Sequence, residues 1–327
     1  MIKVGLQIPN FTYPDTAPDE LFEKVAAVAV AAEDAGADTV MVMDHFYQLA
    51  MMGPPELEMF EAYTLLGALA ARTRTAKLGT LVTGVTYRNP AILAKIVTTL
   101  DVISQGRAFL GIGAAWFDVE HEGLGVDFPP VKERFERLEE ALVICRAMFR
   151  GERPTIDGKH YRVKDAINNP APVTPGGPPI MIGGQGEKKT LRLMAEHAEM
   201  ANFTSGFDEI PRKLEVLAQH CADVGRDMGT INKTSLCSIA VGTTMEDAVS
   251  LRNGFLSARG MDWDSLDDAT RAMVGARLVV GDADAVGERI RDLIGLGLDG
   301  VTFNMPANGH DPEAVTRTVG VVKTAVG

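Results

Sequence analysis

Residues 76–113, AKLGTLVTGVTYRNPAILAKIVTTLDVISQGRAFLGIG, contain one full repeat of the chain's architecture. Ala76 to Thr83 is rich in β-branched residues and predicts a strand. Asn89-Pro90 has the form of a helix N-cap followed by a first helical proline. Leu93, Ile96, Leu100 and Ile103 then form an apolar stripe at helical spacing, and Gly106 closes the helix. Arg107 to Gly113 is short and nearly all apolar, as a strand buried on both faces must be. Strand, helix and doubly buried strand make a parallel crossover unit.

The same rhythm extends in both directions. Before it, strands are predicted at Val4 to Ile8 and Thr39 to Met43, with helices at Asp19 to Ala35 and Glu61 to Ala71. After it, a helix carries Phe135, Leu138, Leu142, Cys145 and Phe149. Strands follow at 180–182, 200–203, 234–241 and 300–304, with helices at 188–197, 208–224, 245–258, 283–296 and 312–326. Two segments break the rhythm. GERPTIDGKHYRV at 151–163 suggests a small hairpin leading into the Pro/Gly-rich NPAPVTPGGPP, and residues 261–277 look irregular. Eight strand-then-helix units with no compositional boundary predict an α/β fold: a single (β/α)8 TIM barrel over 1–327, with insertions near 151–178 and 261–277. A doubly wound sheet is the alternative, but LQIPNFTYP lacks the Gly-rich first turn such folds carry.

Composition narrows the function classes. The 327 residues include 44 Asp+Glu against 32 Lys+Arg, a net charge of −12 that argues against a nucleic-acid partner. The longest apolar run, Val25 to Ala32, is far short of a membrane span. MIKVGLQIPN enters a strand directly, without a signal-peptide pattern, so a cytoplasmic location is expected. Cys145, Cys221 and Cys237 form no CxxC pair and are expected as buried free thiols. The six histidines are scattered, no HExxH occurs, and no metal site is expected.

Barrel active sites lie at the C-terminal ends of the strands. Asp44 and His45 end the second strand; His45 suits general acid or base work, and Asp44 could orient it, accept from a ligand N–H, or cap the loop. Glu120 and His121 are expected on the loop after the fourth strand, where Glu120 could assist proton transfer or serve as a hydrogen-bonded support. Gly183-Gly184-Gln185-Gly186, ahead of a helix and of Lys188 and Lys189, has the form of an anion-binding turn. Gly111 and Gly113 could let a flat ligand approach the barrel floor, with Trp116 as a pocket wall. Met51, Met52 and Met59 in the loop after the second strand suit either an apolar substrate or packing against the rim.

These residues fall in blocks that resemble the luciferase-like monooxygenase superfamily, and within it the branch that uses the deazaflavin coenzyme F420. The blocks are MVMDHF at 41–46, KLGTLVTGVTYRNPAILAK at 77–95, TLDVISQGRAFLGIGAAWFDVEHEGLGVDFP at 99–129, KERFERLEEAL at 132–142 and MIGGQGEKKTLRLMAEHAEMANF at 181–203. The resemblance implies a barrel, usually homodimeric, and a flavin-type cofactor over the strand ends. It implies a non-proline cis peptide at Leu81–Val82, with Leu81, Val82 and Thr83 backing the cofactor ring. It places the cofactor phosphate at Gly183, Gly184, Gln185 and Gly186, with Gly113 and Thr204 nearby, and Asp44 and His45 by the reactive edge. Flavin mononucleotide (FMN) enzymes of the superfamily, two-component monooxygenases that use reduced FMN and oxygen, are the alternative. They often carry an Arg at the position of Ala114 and a Ser at that of Gly186, so both positions lean toward F420. The sugar-phosphate dehydrogenases of the branch carry a Trp and a Glu where this chain has Leu49 and Trp116. The resemblance therefore implies an oxidoreductase exchanging hydride between F420 and a small, apolar organic substrate, with Leu49 and Trp116 lining the substrate pocket and His45 and Glu120 as catalytic groups.

Overall fold

Alternate residues of each strand face opposite sides, and the chain uses this to build two cores. The structure, a computed structural model, describes residues 2–327. Strands β1 (Val4–Ile8), β2 (Thr39–Val42), β3 (Lys77–Thr80), β4 (Thr83–Gly84) and β5 (Leu110–Gly113) alternate with helices α1 (Pro18–Asp34), α2 (Ala62–Ala70) and α3 (Pro90–Ile103). Helices α4 (Asp118–Leu124) and α5 (Val131–Phe149) follow, then a hairpin of β6 (Ile156–Asp157) and β7 (Arg162–Val163). The second half runs β8 (Ile180–Gly183), α6 (Thr190–His197), β9 (Met200–Phe203), α7 (Ile210–Asp223), β10 (Asn232–Val241), α8 (Met245–Ser257), α9 (Asp268–Gly275), β11 (Leu278–Gly281), α10 (Ala283–Gly295), β12 (Gly300–Asn304) and α11 (Pro312–Val326).

The large sheet is parallel in the order β3-β2-β1-β12-β10-β9-β8-β5-β4, with β11 attached to β10. It curls back on itself. Leu78 bridges to Ala108, donating to the Arg107 carbonyl at 2.8 Å and accepting from Phe109 N–H at 3.0 Å. The (β/α)8 barrel is therefore the fold. The third barrel strand is one line broken between β3 and β4 at the Leu81–Val82 peptide, which is cis.

Outward residues such as Val4, Leu6, Val40, Leu110, Ile112, Val301 and Phe303 pack under the helices in the main core. Ile2, Met41, Leu81, Phe109, Met181 and Met200 fill the barrel as a separate inner core. Each fully buried side chain of this kind contributes about 1.5–3 kcal/mol. Above it sits a polar layer: Asn202 donates to Thr234 and Thr302 Oγ1 at 2.9 and 2.7 Å.

Three local expectations are corrected. The third strand is not continuous from Ala76 to Thr83. Residues 118–124, between the fourth strand and the helix at Val131, form α4; it is only 7 residues long, lacks a side-chain N-cap, and is closed by Gly125 at φ 68°. Residues 261–277 are not irregular throughout, since they contain α9, and they lead into β11, which the sequence did not predict as a strand. β11 has only 4 residues and abuts α10, so its apolar run is too short to separate from the helix that follows. The three cysteines are free and buried, as expected, and burial pushes the Cys145 and Cys237 thiols up to about 12.

Candidate active site

The inward-facing residues at the C-terminal ends of the strands form the barrel mouth. Ser238 donates to Asn304 Oδ1 at 2.7 Å, Asn304 Nδ2 to Gln7 Oε1 at 3.0 Å, and Gln7 Nε2 to the Leu81 carbonyl at 2.8 Å. This chain of bonds ties β10, β12 and β1 to the break between β3 and β4. Nothing in the sequence pattern marked Gln7 or Asn304, whose partners are remote in sequence.

His45 continues the inward parity of Met41 and Met43. Its Nδ1 lies 2.7 Å from Glu120 Oε1. Glu120 is fully buried and takes four donors: His45 and Tyr87 Oη on Oε1, and the N–H groups of Phe46 at 2.8 Å and Tyr47 at 3.4 Å on Oε2. Burial opposes its charge, but the bonds from His45, Tyr87 and Phe46 outweigh burial and hold the carboxyl below its ordinary range. An ionised carboxylate only accepts, so His45 Nδ1 carries the proton and Nε2 is the free working atom. Nε2 has no protein partner among the described residues. Trp116 and Phe117 meet the His45 ring edge-on, with centroids 5.8 and 5.7 Å away. Glu120 thus sits behind His45, and all four of its contacts are to protein donors, the hydrogen-bonded arrangement that the sequence offered as one of two readings.

Asp44 is also displaced from its expected partners. Its carboxylate is buried and held by Arg88 in a two-pronged ion pair at 2.6 and 3.0 Å, not by His45. Arg88 also reaches Glu61 at 2.6 Å and lies over the Tyr63 ring at 4.8 Å. Burial works against the Arg88 charge, yet Asp44 holds the guanidinium above its ordinary value. Tyr63 in turn hydrogen-bonds Thr83, which hydrogen-bonds Thr80. Thr83 is therefore a buried structural link. His121, stacked on Tyr87 at 4.6 Å, donates from Nδ1 to the Phe117 carbonyl and meets Thr86 at Nε2.

The glycines of the fourth and fifth strands lie close to neighbouring protein atoms. A Cβ on Gly111 would lie 1.8 Å from the Thr80 carbonyl oxygen. One on Gly113 would be 3.0 Å from Val82 Cγ2, and one on Gly183 would be 2.9 Å from Val82 Cγ1. Gly111 thus makes room for the Thr80 carbonyl, and Gly113 and Gly183 for the Val82 side chain.

At Gly184 the backbone takes φ 136°, and its N–H binds the Asn202 carbonyl at 3.0 Å. The N–H groups of Gln185 and Gly186 find no protein acceptor among the described residues. Across from them, at the end of β9, Ser205 Oγ is buried without a partner beside half-buried Thr204. Free donors on this side of the mouth fit the phosphate-bearing part of a cofactor.

Leu49 is buried in an apolar cluster with Met43 and Met52, packed against Met59, Phe117 and Phe255. Arg259 fastens the loop, donating to the Met51 carbonyl at 3.2 Å and to that of Met52 while covering Phe255. Trp116 is 60% exposed beside His45, and Met51 is 58% exposed. Leu49 and Trp116 therefore lie in different surroundings, joined through Phe117.

The sequence places the principal pocket over the strand ends. Two open hollows lie away from His45. Glu187, Lys188, Arg212 and His220 line one, while Phe207, Trp263, Arg271 and Arg289 line the other. Neither includes His45 or Leu81–Thr83. We place the site at the mouth, because the buried charges and free donors converge there.

Residues 2–300 match the family model described as luciferase-like monooxygenase. The chain is 32% identical over 318 residues to an F420-dependent glucose-6-phosphate dehydrogenase of Segniliparus rotundus, covering 90% of this chain and 89% of the relative. It is 30% identical over 324 residues to the enzyme of that name from Microbacterium testaceum, covering 93% and 91%. Among solved structures it superposes on the F420-dependent tetrahydromethanopterin reductase of Methanopyrus kandleri with TM-score 0.80 and 20% identity, over 100% of this chain and 99% of that one. An F420-dependent secondary alcohol dehydrogenase in complex with an F420-acetone adduct gives TM-score 0.80 at 19% identity, over 100% and 99%.

Proposed function

The chain belongs to the luciferase-like monooxygenase family as an F420-dependent oxidoreductase, and from that premise we propose that it moves hydride between coenzyme F420 and an apolar organic substrate. When bound, F420 supplies the carbon that gives or takes the hydride. The N–H groups of Gln185 and Gly186, with Thr204 and Ser205, would hold its phosphate; Leu81 and Val82 would back its ring. A homodimeric assembly is part of the same proposal.

One observation carries this reading: a buried carboxylate fixes His45 Nδ1–H and leaves Nε2 at the mouth. In the neutral ring Nε2 accepts a proton from an alcohol being oxidised. In the protonated ring it donates one to the atom that becomes electron-rich when its neighbouring carbon is reduced. Trp116 and Phe117 shield the ring from water on two edges.

The apolar substrate follows from the mouth's surroundings. Met43, Leu49 and Met52 pack as a buried apolar cluster against Phe117, whose ring meets His45, so the protein beside His45 is apolar. Trp116 offers one N–H and no charge where a sugar-phosphate enzyme needs a carboxylate. The test follows F420 absorbance with glucose 6-phosphate against a panel of cyclic enones. We expect turnover of enones and none of the sugar phosphate. Robust turnover of the sugar phosphate with none of the enones would overturn the substrate assignment.

A further inference from the structure

Two consecutive residues on the loop from β4 to α3 grip two consecutive residues at the end of β2. Arg88 binds Asp44 through both carboxylate oxygens, and Tyr87 reaches His45 through the shared acceptor Glu120. We infer that the Tyr87–Arg88 pair clamps the Asp44–His45 turn and that Tyr87 is a positioning residue for His45, acting through Glu120. The inference rests on the assignment of His45 as the proton-handling group.

The geometry supports a positioning role over mere packing. Tyr87 Oη and His45 Nδ1 converge on the same oxygen, Glu120 Oε1, while Oε2 is fixed by the main chain of Phe46 and Tyr47. The carboxylate therefore cannot rotate to favour one donor without losing the other. The Tyr87 ring is itself immobilised, stacked on His121 at 4.6 Å and met edge-on by Phe46 at 5.2 Å. His121 is in turn pinned at both nitrogens. Tyr87 thus delivers its O–H from a rigid mount.

The electrostatic consequence has a definite sign. The Tyr87 O–H takes up part of the negative charge on Oε1, charge that would otherwise stabilise imidazolium at His45. Without that O–H, Glu120 becomes a stronger acceptor for Nδ1–H, and His45 holds its second proton to higher pH. The other charged or titratable groups around the pair are Asp44, already matched by Arg88, then Glu61, also on Arg88, and His121 behind the tyrosine ring.

Tyr87→Phe keeps the ring and deletes only the O–H. The test is an NMR titration of the His45 imidazole in the cofactor-free protein, its signal identified by its loss in His45→Gln, combined with the pH profile of kcat. We expect the His45 midpoint of Tyr87→Phe to rise, the matching limb of the kcat profile to move the same way, and kcat to fall about tenfold. Arg88→Lys, which keeps the charge but loses the fork, should lower kcat without raising the midpoint. A His45 titration in Tyr87→Phe that superimposes on the wild type overturns the inference. The titration uses no cofactor, so it stands or falls separately from the identity of cofactor and substrate. Should His45 not be the proton-handling group, its midpoint would still move but the kcat profile would not follow.

Discussion

Four donors on two oxygens occupy the Glu120 carboxylate, and in the proposed function His45 is the side chain that meets substrate. A group that moves a proton in the transition state contributes mainly to turnover. His45→Ala should therefore lower kcat by about 10²–10⁴-fold while changing the F420 dissociation constant little. Steady-state kinetics beside a binding titration separates the two; unchanged kcat with a raised dissociation constant would make His45 a binding residue. Glu120 also links folding to pH. Its folded-state value lies below the ordinary 4.5, so the unfolded chain binds its proton first as pH falls. The stabilisation is present above 4.5 and is lost as pH drops through the lower folded value. In Glu120→Gln that part of the acid dependence should vanish, which urea unfolding between pH 3 and 6 would read. Glu120 was visible in the sequence as a hydrogen-bonding candidate, but not as the partner of His45. Tyr87 and Arg88 were not, because their bonds run to residues 33 and 44 positions away, and only barrel closure brings those together.

Strands and helices were legible because their periods are strong, and the departures occur where local signals are weak. The eight principal strands and most helices fall where alternation, stripes and caps place them, including Asn89, whose side chain accepts from Ala91 N–H as an N-cap should. The break at Leu81–Val82 followed from family resemblance, not from residue pattern. Its seat explains the glycines opposite: Gly111, Gly113 and Gly183 face the bulge, and none can carry a Cβ without moving Thr80 or Val82. Gly111→Ala, whose methyl would collide with a backbone carbonyl, should destabilise the fold by about 3 kcal/mol. Denaturant unfolding tests this, and a loss within about 0.5 kcal/mol would show that the third strand yields freely.

At the scale of the molecule, closure of β3 onto the lead-in to β5 turns an open parallel sheet into a barrel with an apolar floor and a polar mouth. Composition and rhythm were enough to anticipate the closed barrel. The arrangement of its mouth was not accessible, since it depends on loops that meet only in three dimensions, such as the Arg259 contacts with Met51 and Met52. In the proposed function this mouth is built for the deazaflavin. Ala114 brings no charge to the mouth, and in the proposed function the cofactor phosphate is held by the turn at 183–186. The direct test is a titration of the purified protein with F420 and, separately, with FMN. F420 should bind at least tenfold tighter, a difference of about 1.4 kcal/mol; equal affinities, or tight binding of FMN alone, would contradict the proposed function.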